Sequence, residues 1–363
     1  MNNIPTFDEC LHVCEENSGF SHSVQEIHGK EVHSFKYNFQ SRFNEMYKPF
    51  LDKGINALAM RGITFIDGKL VAIGPDKFFN LGENETAVYP ENERYLMEKV
   101  DGSLISVFQV DHLLEIKTQK SVFSEVAKDA RKYFNTRNDL QGFSMSLLSR
   151  GLSPFFEYVG PHNRIVLRYD EEDFVFLGAR CLISGTMVFP WDMFVPSTIT
   201  IPQLIAGEGK DAYLERDDVE GLVVVGECGH MVKMKTSTYC QLHKILDMKT
   251  PKSFCEYYIA HGNFDDVIGV LTHHGLTKDI ADLVAFEDDY IEKVESHNQL
   301  ISDAVKKYGH LSRKGVALKM IDDKVDNALR GLVFSTLDGK DTLPKIQKLI
   351  LEGYKDAGRR EED

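Results

Sequence analysis

The sequence predicts an α+β fold in which antiparallel sheets are followed by an all-helical domain. Up to about residue 240, short β-branched and aromatic stretches alternate with Asp, Asn and Gly turn signals, as is typical of antiparallel strands. Beyond that point the strand signals fade, and apolar residues recur three and four positions apart. The chain has 363 residues, more than one typical domain. We therefore expect two domains, residues 1–245 and 246–363.

The individual elements follow from local patterns. Cys10 and Cys14 are four residues apart and are expected on one face of a short helix. Helical periodicity appears near Ser124–Tyr133 and Asp139–Leu148, and again in the segments 290–309 and 343–357. The predicted strands are GITFIDGKLVAIG (62–74), SLISVFQVDHLLEI (103–116), FFEYVG (155–160), NRIVLRY (163–169), EDFVFLGAR (172–180), EGLVVVG (220–226) and HMVKMK (230–235).

Composition and charge narrow the class of protein. Hydrophobic residues make up 42% and charged residues 27%, which is ordinary for a globular chain with a sizeable core. No run of 18 apolar residues predicts a membrane span, and the N-terminus has no secretory pattern, so a cytoplasmic location is expected. The six cysteines form no CxxC pair and are expected to be reduced. The net charge of −14 argues against a general nucleic-acid coat but not against a local basic site.

The candidate chemistry centres on Glu98-Lys99-Val100-Asp101-Gly102-Ser103, directly before a predicted strand. A KxDG pattern alone recurs by chance, but here it has partners in a definite order. These are Arg61-Gly62 upstream, then Glu157 in a strand, Glu220-Gly221 before LVVV, and Lys233-Met234-Lys235. Each of these residues taken singly could be a solvated surface residue. Their order along the chain favours a functional interpretation.

Nucleotidyl transfer gives a reason for each residue type. A lysine amine that attacks an α-phosphate must be unprotonated, so the pKa of Lys99 must lie below its usual value. Lys233 and Lys235, at i and i+2 of a strand, would leave the same face and place two cations beside a triphosphate. Glu220 could hold a divalent cation, because Mg²⁺ prefers oxygen ligands. Glu157 could accept a hydrogen bond from a ribose hydroxyl, and Gly102 would let the backbone approach a ligand.

These residues resemble the lysine-dependent nucleotidyltransferases, which include DNA ligases, RNA ligases and capping enzymes. The sequence is most similar to the bacteriophage RNA ligase 1 family of T-even type. The resemblance is carried by SFKYNFQSRF (34–43), MRGITF (60–65), DKFFNLGEN (76–84), EKVDGSLIS (98–106), FFEYVGPHNRIVLRY (155–169), EGLVVV (220–225) and VKMKTSTYCQLH (232–243).

The resemblance implies an ATP-grasp-like adenylyltransferase domain over residues 1–245 and a helical domain that selects the RNA. In relatives, that helical domain favours tRNA that is broken in the anticodon loop. It also implies the following roles. Lys99 would be the adenylated nucleophile, and the other catalytic residues would be Glu157, Glu220, Lys233, Lys235 and Tyr239. The ATP-binding residues would be Tyr37, Arg61, Lys77, Lys99, Glu157, Lys233 and Lys235, with Phe79 packing near the nucleotide. The Mg²⁺ ligands would be Glu220 and Asp265, with Asp266 as a rival for the latter.

The implied function is ATP-dependent RNA ligation through a lysyl-AMP intermediate and adenylylated RNA. It would serve tRNA repair during phage infection, and the protein would act as a monomer. One departure concerns the segment after Glu115, where the family lysine aligns with Gln119 and either Lys117 or Lys120 could replace it. The alternatives are a DNA ligase or capping guanylyltransferase, whose usual OB-fold the helical C-terminal region does not predict, and a non-catalytic RNA-binding relative.

Overall fold

The computed structural model describes residues 4–38, 43–248, 250–273 and 275–358. The chain divides into two compact units, Met1–Cys240 and Gln241–Asp363. Of the segment 34–43 that carries part of the resemblance, residues 39–42 lie outside the described ranges. None of the described helices combines the length and the apolar character that a membrane crossing requires.

The first unit contains three sheets with helices packed on them. Its strands are β1 (Phe20–Ile27), β2 (Lys30–Tyr37), β3 (Arg61–Ile66), β4 (Lys69–Ala72), β5 (Phe79–Asn80), β6 (Glu93–Glu98), β7 (Ser103–Val110), β8 (Leu113–Thr118), β9 (Leu152–Val159), β10 (Asp173–Cys181), β11 (Met187–Val188), β12 (Gly221–Gly226) and β13 (Met231–Lys235). Its helices are α1 (Phe7–Glu16), α2 (Phe43–Met46), α3 (Lys48–Leu51), α4 (Glu125–Thr136), α5 (Asn138–Ser149) and α6 (Lys210–Leu214).

The strand order defines the three sheets. The first sheet is β1-β2-β3-β4, the second is β11-β10-β9-β7-β8, and the third is β5-β13-β12-β6. Every pair is antiparallel except β13 with the two-residue β5, which is parallel. Short loops join most neighbours, for example Asp67-Gly68 between β3 and β4, where both residues take the positive φ that such tight hairpins need.

Two apolar clusters hold these layers together. One joins the first and third sheets with the N-terminal helices and contains Phe35, Tyr47, Phe65 and Leu222. The other lies between the second sheet and helices α4 and α5, and its centre is the aromatic set Phe134, Phe143, Phe156, Phe174 and Phe176. Burying each ring of this size contributes about 1.5–3 kcal/mol to the stability of the fold. This packing stabilises the second sheet and the positions of the residues at its edges.

The regular elements in the described part of the second unit are helices joined by loops. Helix α7 (Ser237–Leu246) runs across the division between the units. The later helices are α8 (Pro251–His261), α9 (Asp265–His273), α10 (Thr277–Tyr308), α11 (Arg313–Asp322), α12 (Asn327–Leu337) and α13 (Leu343–Gly358). Tyr308, Met320 and Val333 form a buried cluster among α10, α11 and α12.

The predicted α+β class, with antiparallel sheets before a helical region, is confirmed. Helices α1, α4 and α5 lie where the sequence placed them, but the strand predicted at NRIVLRY (163–169) is wrong. That segment is an irregular loop, because Val166 and Leu167 donate their backbone N–H groups to the side chain of Asp101 rather than to a neighbouring strand. Sequence reasoning also missed β1, β2 and β6. In β1 most side chains are polar and only partly buried, so its alternation is weak.

A buried arginine fixes the loop that follows β4. The Arg180 side chain is 2% exposed; its Nε donates to the carbonyl of Gly185 at 2.9 Å. Its Nη1 donates to the carbonyl of Gly74 at 3.1 Å and to Asp76 Oδ1 at 2.5 Å. The segment that leads to Lys77 is thereby tied to strand β10.

We predict that Arg180→Met lowers the free energy of unfolding by about 2–4 kcal/mol, because it leaves two carbonyls and a carboxylate without their donor. The matched control is Arg168→Met. Arg168 pairs with Asp170, and these side chains are 77% and 80% exposed. The control should change stability by less than about 0.5 kcal/mol. Equal effects of the two substitutions in urea unfolding would contradict this prediction.

Candidate active site

Antiparallel pairing in the third sheet brings three chain segments together at one edge. Gly221, the first residue of β12, pairs with Lys235, the last residue of β13. On the other side of β12, strand β6 ends immediately before Lys99, whose backbone N–H donates to the carbonyl of Gly221 at 2.8 Å. Glu220 lies just before β12 and therefore between the two lysines.

The Glu220 carboxylate is shared by the two flanking ammonium groups. Lys99 Nζ donates to Glu220 Oε2 at 2.8 Å, and Lys235 Nζ lies 2.9 Å from Glu220 Oε1. Glu220 is 3% exposed, so these contacts are made largely out of water. Both oxygens of the carboxylate are therefore engaged by cations, and the Lys99 amine is held at a defined place.

Lys99 lines a cavity between the second and third sheets, which we call the first cavity. Its walls include apolar side chains on strands of both sheets: Met97, Leu104, Phe155, Leu177, Val223 and Met231. Its polar walls are the residues Tyr37, Arg61, Lys77, Glu98, Lys99, Glu157, Lys233 and Lys235. The walls of the cavity thus combine apolar side chains with a concentration of positive charge.

The cations of the first cavity influence one another. Burial, together with the neighbouring charges of Lys99, Lys235 and Lys77, lowers the pKa of Lys233 to about 8. The Lys233 ammonium lies 5.9 Å from the centre of the Phe78 ring, and the Arg61 guanidinium lies 5.5 Å from it. The cavity is therefore suited to an anion that can neutralise this concentration of charge.

Arg61 and Lys77 are oriented by aromatic neighbours. Lys77 Nζ lies 4.6 Å from the centre of the Tyr37 ring. Burial raises the pKa of Tyr37, but the charges of Arg61 and Lys77 outweigh it, so the net shift is downward. Among the described residues, the buried Nε of Arg61 has no hydrogen-bond partner. A buried donor without a partner costs about 1–3 kcal/mol, which an anionic ligand could offset.

Glu157 projects from β9 into the same cavity. It pairs in register with Leu104 of β7 and Val175 of β10, so it lies in the middle of the second sheet. Burial raises the pKa of Glu157 to about 7; Lys99 opposes this shift and the Glu220 carboxylate adds to it. Near neutral pH this side chain can therefore either donate or accept a hydrogen bond.

Asp101 fastens a loop and a helix to the KxDG segment. It is 2% exposed. Its Oδ2 accepts from the backbone N–H groups of Val166 and Leu167 at 2.9 and 2.7 Å. Its Oδ1 accepts from the hydroxyl of Tyr239 at 2.6 Å. Burial, with Glu220 and Asp101 nearby, raises the pKa of Tyr239, so this phenol remains a donor.

Gly102 is required for a reason other than the one the sequence suggested. A Cβ at this position would lie 2.4 Å from the carbonyl oxygen of Tyr158 and 3.0 Å from the side chain of Glu157. The glycine therefore allows the KxDG segment to lie directly against strand β9. This close packing places Lys99 and Glu157 on the walls of one cavity.

Most predicted site residues lie together. Tyr37, Arg61, Lys77, Lys99, Glu157, Lys233 and Lys235 line the first cavity. Glu220 and Tyr239 line a second cavity, to which Arg61, Lys99 and Glu157 also belong. Asp265 begins helix α9 in the second unit, and its role stays a prediction. No three His, Cys, Asp or Glu side chains in the described parts of the chain form a group that could hold a metal ion.

Two neighbours of the site differ from the sequence-based expectation. Phe79 is buried in the core of the first and third sheets, and it is Phe78 that lines the first cavity. Lys117 is also buried; its ammonium donates to Ser34, Thr64 and the carbonyl of Gly62. Gln119 and Lys120, which follow strand β8, both line the second cavity. Residue type did not separate Lys117 from Lys120, because the difference depends on where strand β8 ends.

Glu157 leads to a prediction about stability and pH. A glutamate with the ordinary pKa of about 4.5 ionises at lower pH in the unfolded chain than Glu157 does in the folded one. The folded state therefore binds more protons between about pH 4.5 and 7, and its stability falls as the pH rises through that range. We expect the unfolding free energy of Glu157→Gln, relative to the unsubstituted protein, to increase by about 1–3 kcal/mol from pH 5 to pH 8.

The control is Glu171→Gln at an exposed carboxylate. Its stability difference from the unsubstituted protein should stay constant between pH 5 and pH 8, because water solvates that group in both states. A pH-independent difference for Glu157→Gln, measured by urea unfolding, would show that Glu157 does not titrate abnormally.

Comparison with protein families finds a match at the centre of the first unit. Residues 59–187 match the family model described as RNA ligase. A provisionally named RNA ligase of Thermovibrio ammonificans is 30% identical over 131 residues. That alignment covers 33% of this chain and 33% of the relative, so the chain spans about a third of the length of the curated relative it matches.

Solved structures with partial similarity have low sequence identity. The RNA ligase of Naegleria gruberi, in a variant with ATP and Mn, has 15% identity and a TM-score of 0.33 over 43% of this chain and 52% of its own. An archaeal ATP-dependent RNA ligase has 12% identity and a TM-score of 0.44 over 76% and 75%. A provisionally named ATP-dependent DNA ligase of Aquifex aeolicus has 13% identity and a TM-score of 0.46 over 92% and 99%.

The family match includes Arg61, Lys99 and Glu157, three residues that the structure places around one cavity. Sequence similarity to the RNA ligase family model and the geometry of the cavity therefore coincide on the same segment.

Proposed function

We propose that this protein is an ATP-dependent RNA ligase that carries AMP on Lys99. The observation that carries the proposal is the position of the Lys99 amine. It is held by a buried carboxylate on the wall of a cavity that is lined by apolar and cationic side chains. A lysine nucleophile, a nucleotide base and a triphosphate require such an arrangement, and the RNA ligase family match covers this lysine.

Different residues of the first cavity suit different parts of an ATP molecule. Apolar side chains such as Met97, Val223 and Met231 offer a surface for the flat purine. Glu157 can accept a hydrogen bond from a ribose hydroxyl. Arg61, with its unpartnered Nε, can donate to the phosphates.

In the first step the Lys99 nitrogen attacks the α-phosphorus of ATP. A phosphorus–nitrogen bond forms, the bond between the α- and β-phosphates breaks, pyrophosphate leaves and the amine loses a proton. Lys233 and Lys235 stabilise the charge that develops on the α-phosphate oxygens. The covalent intermediate splits one difficult joining reaction into easier steps.

The Glu220 carboxylate is of the ligand type that Mg²⁺ prefers, and it would bind the cation in exchange for one of its two lysine contacts. Mg²⁺ is usually bound by one or two carboxylates together with substrate phosphates, so a group of three protein ligands is not required. Glu220 and Glu157 both line the second cavity with Lys99. When bound, the cation would neutralise phosphate charge. Glu220 is the residue that would hold it, and Asp265 is proposed as a further ligand from the resemblance alone.

The later steps use RNA. An oxygen of an RNA 5′-phosphate attacks the phosphorus of lysyl-AMP, the phosphorus–nitrogen bond breaks, and Lys99 regains its proton. The 3′-hydroxyl of a second end then attacks the adenylylated end and releases AMP. The resemblance to ligases of T-even phages supports a role in tRNA repair during phage infection, with the helical domain selecting the RNA. A monomer in the host cytoplasm is part of the same proposal.

We predict that Lys99→Ala abolishes the labelled protein formed with radioactive ATP and lowers sealing of 5′-phosphorylated RNA by about a thousandfold or more, because the nucleophile is gone. Sealing of pre-adenylylated RNA should persist, since that step does not use the amine. Lys69→Ala, at an exposed lysine of β4, is the control and should behave like the unsubstituted protein.

Two outcomes of this experiment would overturn the proposal. If label were transferred from GTP and not from ATP, the protein would be a guanylyltransferase. If the unsubstituted protein took up no label from either nucleotide with Mg²⁺ present, it would be a non-catalytic relative.

A second prediction concerns the metal. Chelation with EDTA should stop adenylylation, and added Mg²⁺ should restore it. Glu220→Gln should raise the Mg²⁺ concentration for half-maximal rate by about tenfold or more, in line with the loss of a charged ligand. Asp265→Asn and Asp266→Asn are the paired variants for the second unit. A shift in Mg²⁺ dependence with Asp265→Asn alone would support its role, and no shift would end it.

A further inference from the structure

A second cavity opens onto Lys99 beside the first. The two cavities share four residues, Arg61, Lys99, Leu104 and Glu157. The walls that belong to the second cavity alone come from the KxDG segment, the end of β8 and the two residues after it, the start of α4, the loop 163–169, the residue before β12 and helix α7. They include Asp101, Ser103, Gln119, Lys120, Ile165 and Glu220. Lys99 is thus reachable from two sides with different chemistry.

Two of the three carboxyl groups that line the second cavity are already engaged. Asp101 accepts from Tyr239 and from two backbone N–H groups. Both oxygens of Glu220 contact lysine ammonium groups. Asp101 and Glu220 therefore offer little free negative charge to an incoming ligand. The third carboxyl group, Glu157, is shared with the first cavity.

The principal cation of these walls is Lys120. It is exposed, and across the described ranges its ammonium has no ion-pair partner. The amide of Gln119 lies beside it on the same wall. The hydroxyls of Ser103 and Thr118 already donate within the protein, to Asn163 Oδ1 and to the carbonyl of Ser121. An exposed ammonium beside an amide is suited to the oxygens of a phosphate group.

The cavity also has an apolar side. Ile165 is 40% exposed, although it is a large aliphatic residue in an irregular loop. The loop is held in place by Asp101 and by Asn163, whose Oδ1 accepts from Ser103 Oγ at 3.0 Å and whose amide donates to the carbonyl of Tyr158. Val126 and Leu104 add to this apolar surface. A bare anion such as pyrophosphate would make no favourable contact with this apolar surface. The nucleoside next to a terminal phosphate could pack against it.

We propose that the second cavity holds the terminal phosphate and first nucleoside of the 5′-phosphorylated RNA strand beside the AMP on Lys99, with Lys120 as its principal cation. This inference rests on the proposed ligase function. Lys120 contacts the phosphate, and Ile165 contacts the nucleoside that follows it. The first cavity would serve ATP, and the second would serve the strand that accepts AMP.

The test uses the full chain with a 5′-phosphorylated single-stranded oligoribonucleotide and the same strand ending in a 5′-hydroxyl. Equilibrium binding of both strands and single-turnover transfer from preformed lysyl-AMP are measured. Lys120→Ala should weaken binding of the phosphorylated strand and raise its half-saturating concentration in transfer by about tenfold or more, the scale of one charge-assisted contact. Binding of the 5′-hydroxyl strand should change far less.

Two further variants sharpen this test. Lys128→Ala removes an exposed lysine of α4 that pairs with Glu125 outside the cavity and should leave both measurements unchanged. Gln119→Lys combined with Lys120→Ala moves the ammonium to the neighbouring residue of the same wall. This double variant should recover most of the discrimination between the two strands, which a purely structural defect would not allow.

Three results would overturn the inference. One is an unchanged preference for the phosphorylated strand in Lys120→Ala. Another is a loss confined to self-adenylylation with ATP, which would assign the cavity to pyrophosphate. The third is an equal loss for both strands, which would indicate general attraction of RNA. Normal lysyl-AMP formation and transfer by the unsubstituted protein would show that ligase function stands even if this inference fails.

Discussion

The arrangement of the site depends on the ion pairs that join Glu220 to Lys99 and Lys235. The three residues are far apart in sequence, and only the pairing of β12 with β6 and β13 brings them to one sheet edge. A buried carboxylate is costly unless it is paired, so the two ammonium groups and Glu220 hold one another in position. Removing any one of them would leave a buried charge without its partner, which links the stability of this edge to the proposed chemistry.

A second constraint works through Asp101. Its carboxylate ties the KxDG segment to the loop 163–169 and to Tyr239, and Gly102 allows the same segment to lie against β9. The position of Lys99 is therefore fixed from the third sheet by Glu220 and from the second sheet by these contacts. The same constraint separates the surroundings of Lys99 into two cavities. One has apolar and cationic walls, and the other has hydroxyl, amide and ammonium groups beside an exposed isoleucine.

Sequence patterns located much of the site because strand alternation is a strong local signal. Lys233 and Lys235, two residues apart in β13, do line one cavity together, as their spacing indicated. The same reasoning failed for 163–169, where apolar alternation resembles a strand but backbone groups bind Asp101. The family resemblance pointed to Phe79, whereas the structure places Phe78 on the wall of the first cavity and Phe79 in the core. The roles of Asp101 and Gln119 depend on contacts between distant segments, and no local pattern reveals such contacts.

Sequence patterns alone were enough to predict the α+β class and the change to helices near residue 240. They also gave the ordered set of residues around Lys99, of which Arg61, Lys99 and Glu157 fall in the segment 59–187 that matches the RNA ligase family model. Local periodicity and residue type predict these features directly. Three-dimensional contacts were needed to show which carboxylate holds the lysine amine, that Lys117 is buried away from the cavities, and that Gln119 and Lys120 line the second cavity. Those facts depend on strand register and sheet packing, and both are set by contacts between residues that are distant in the chain.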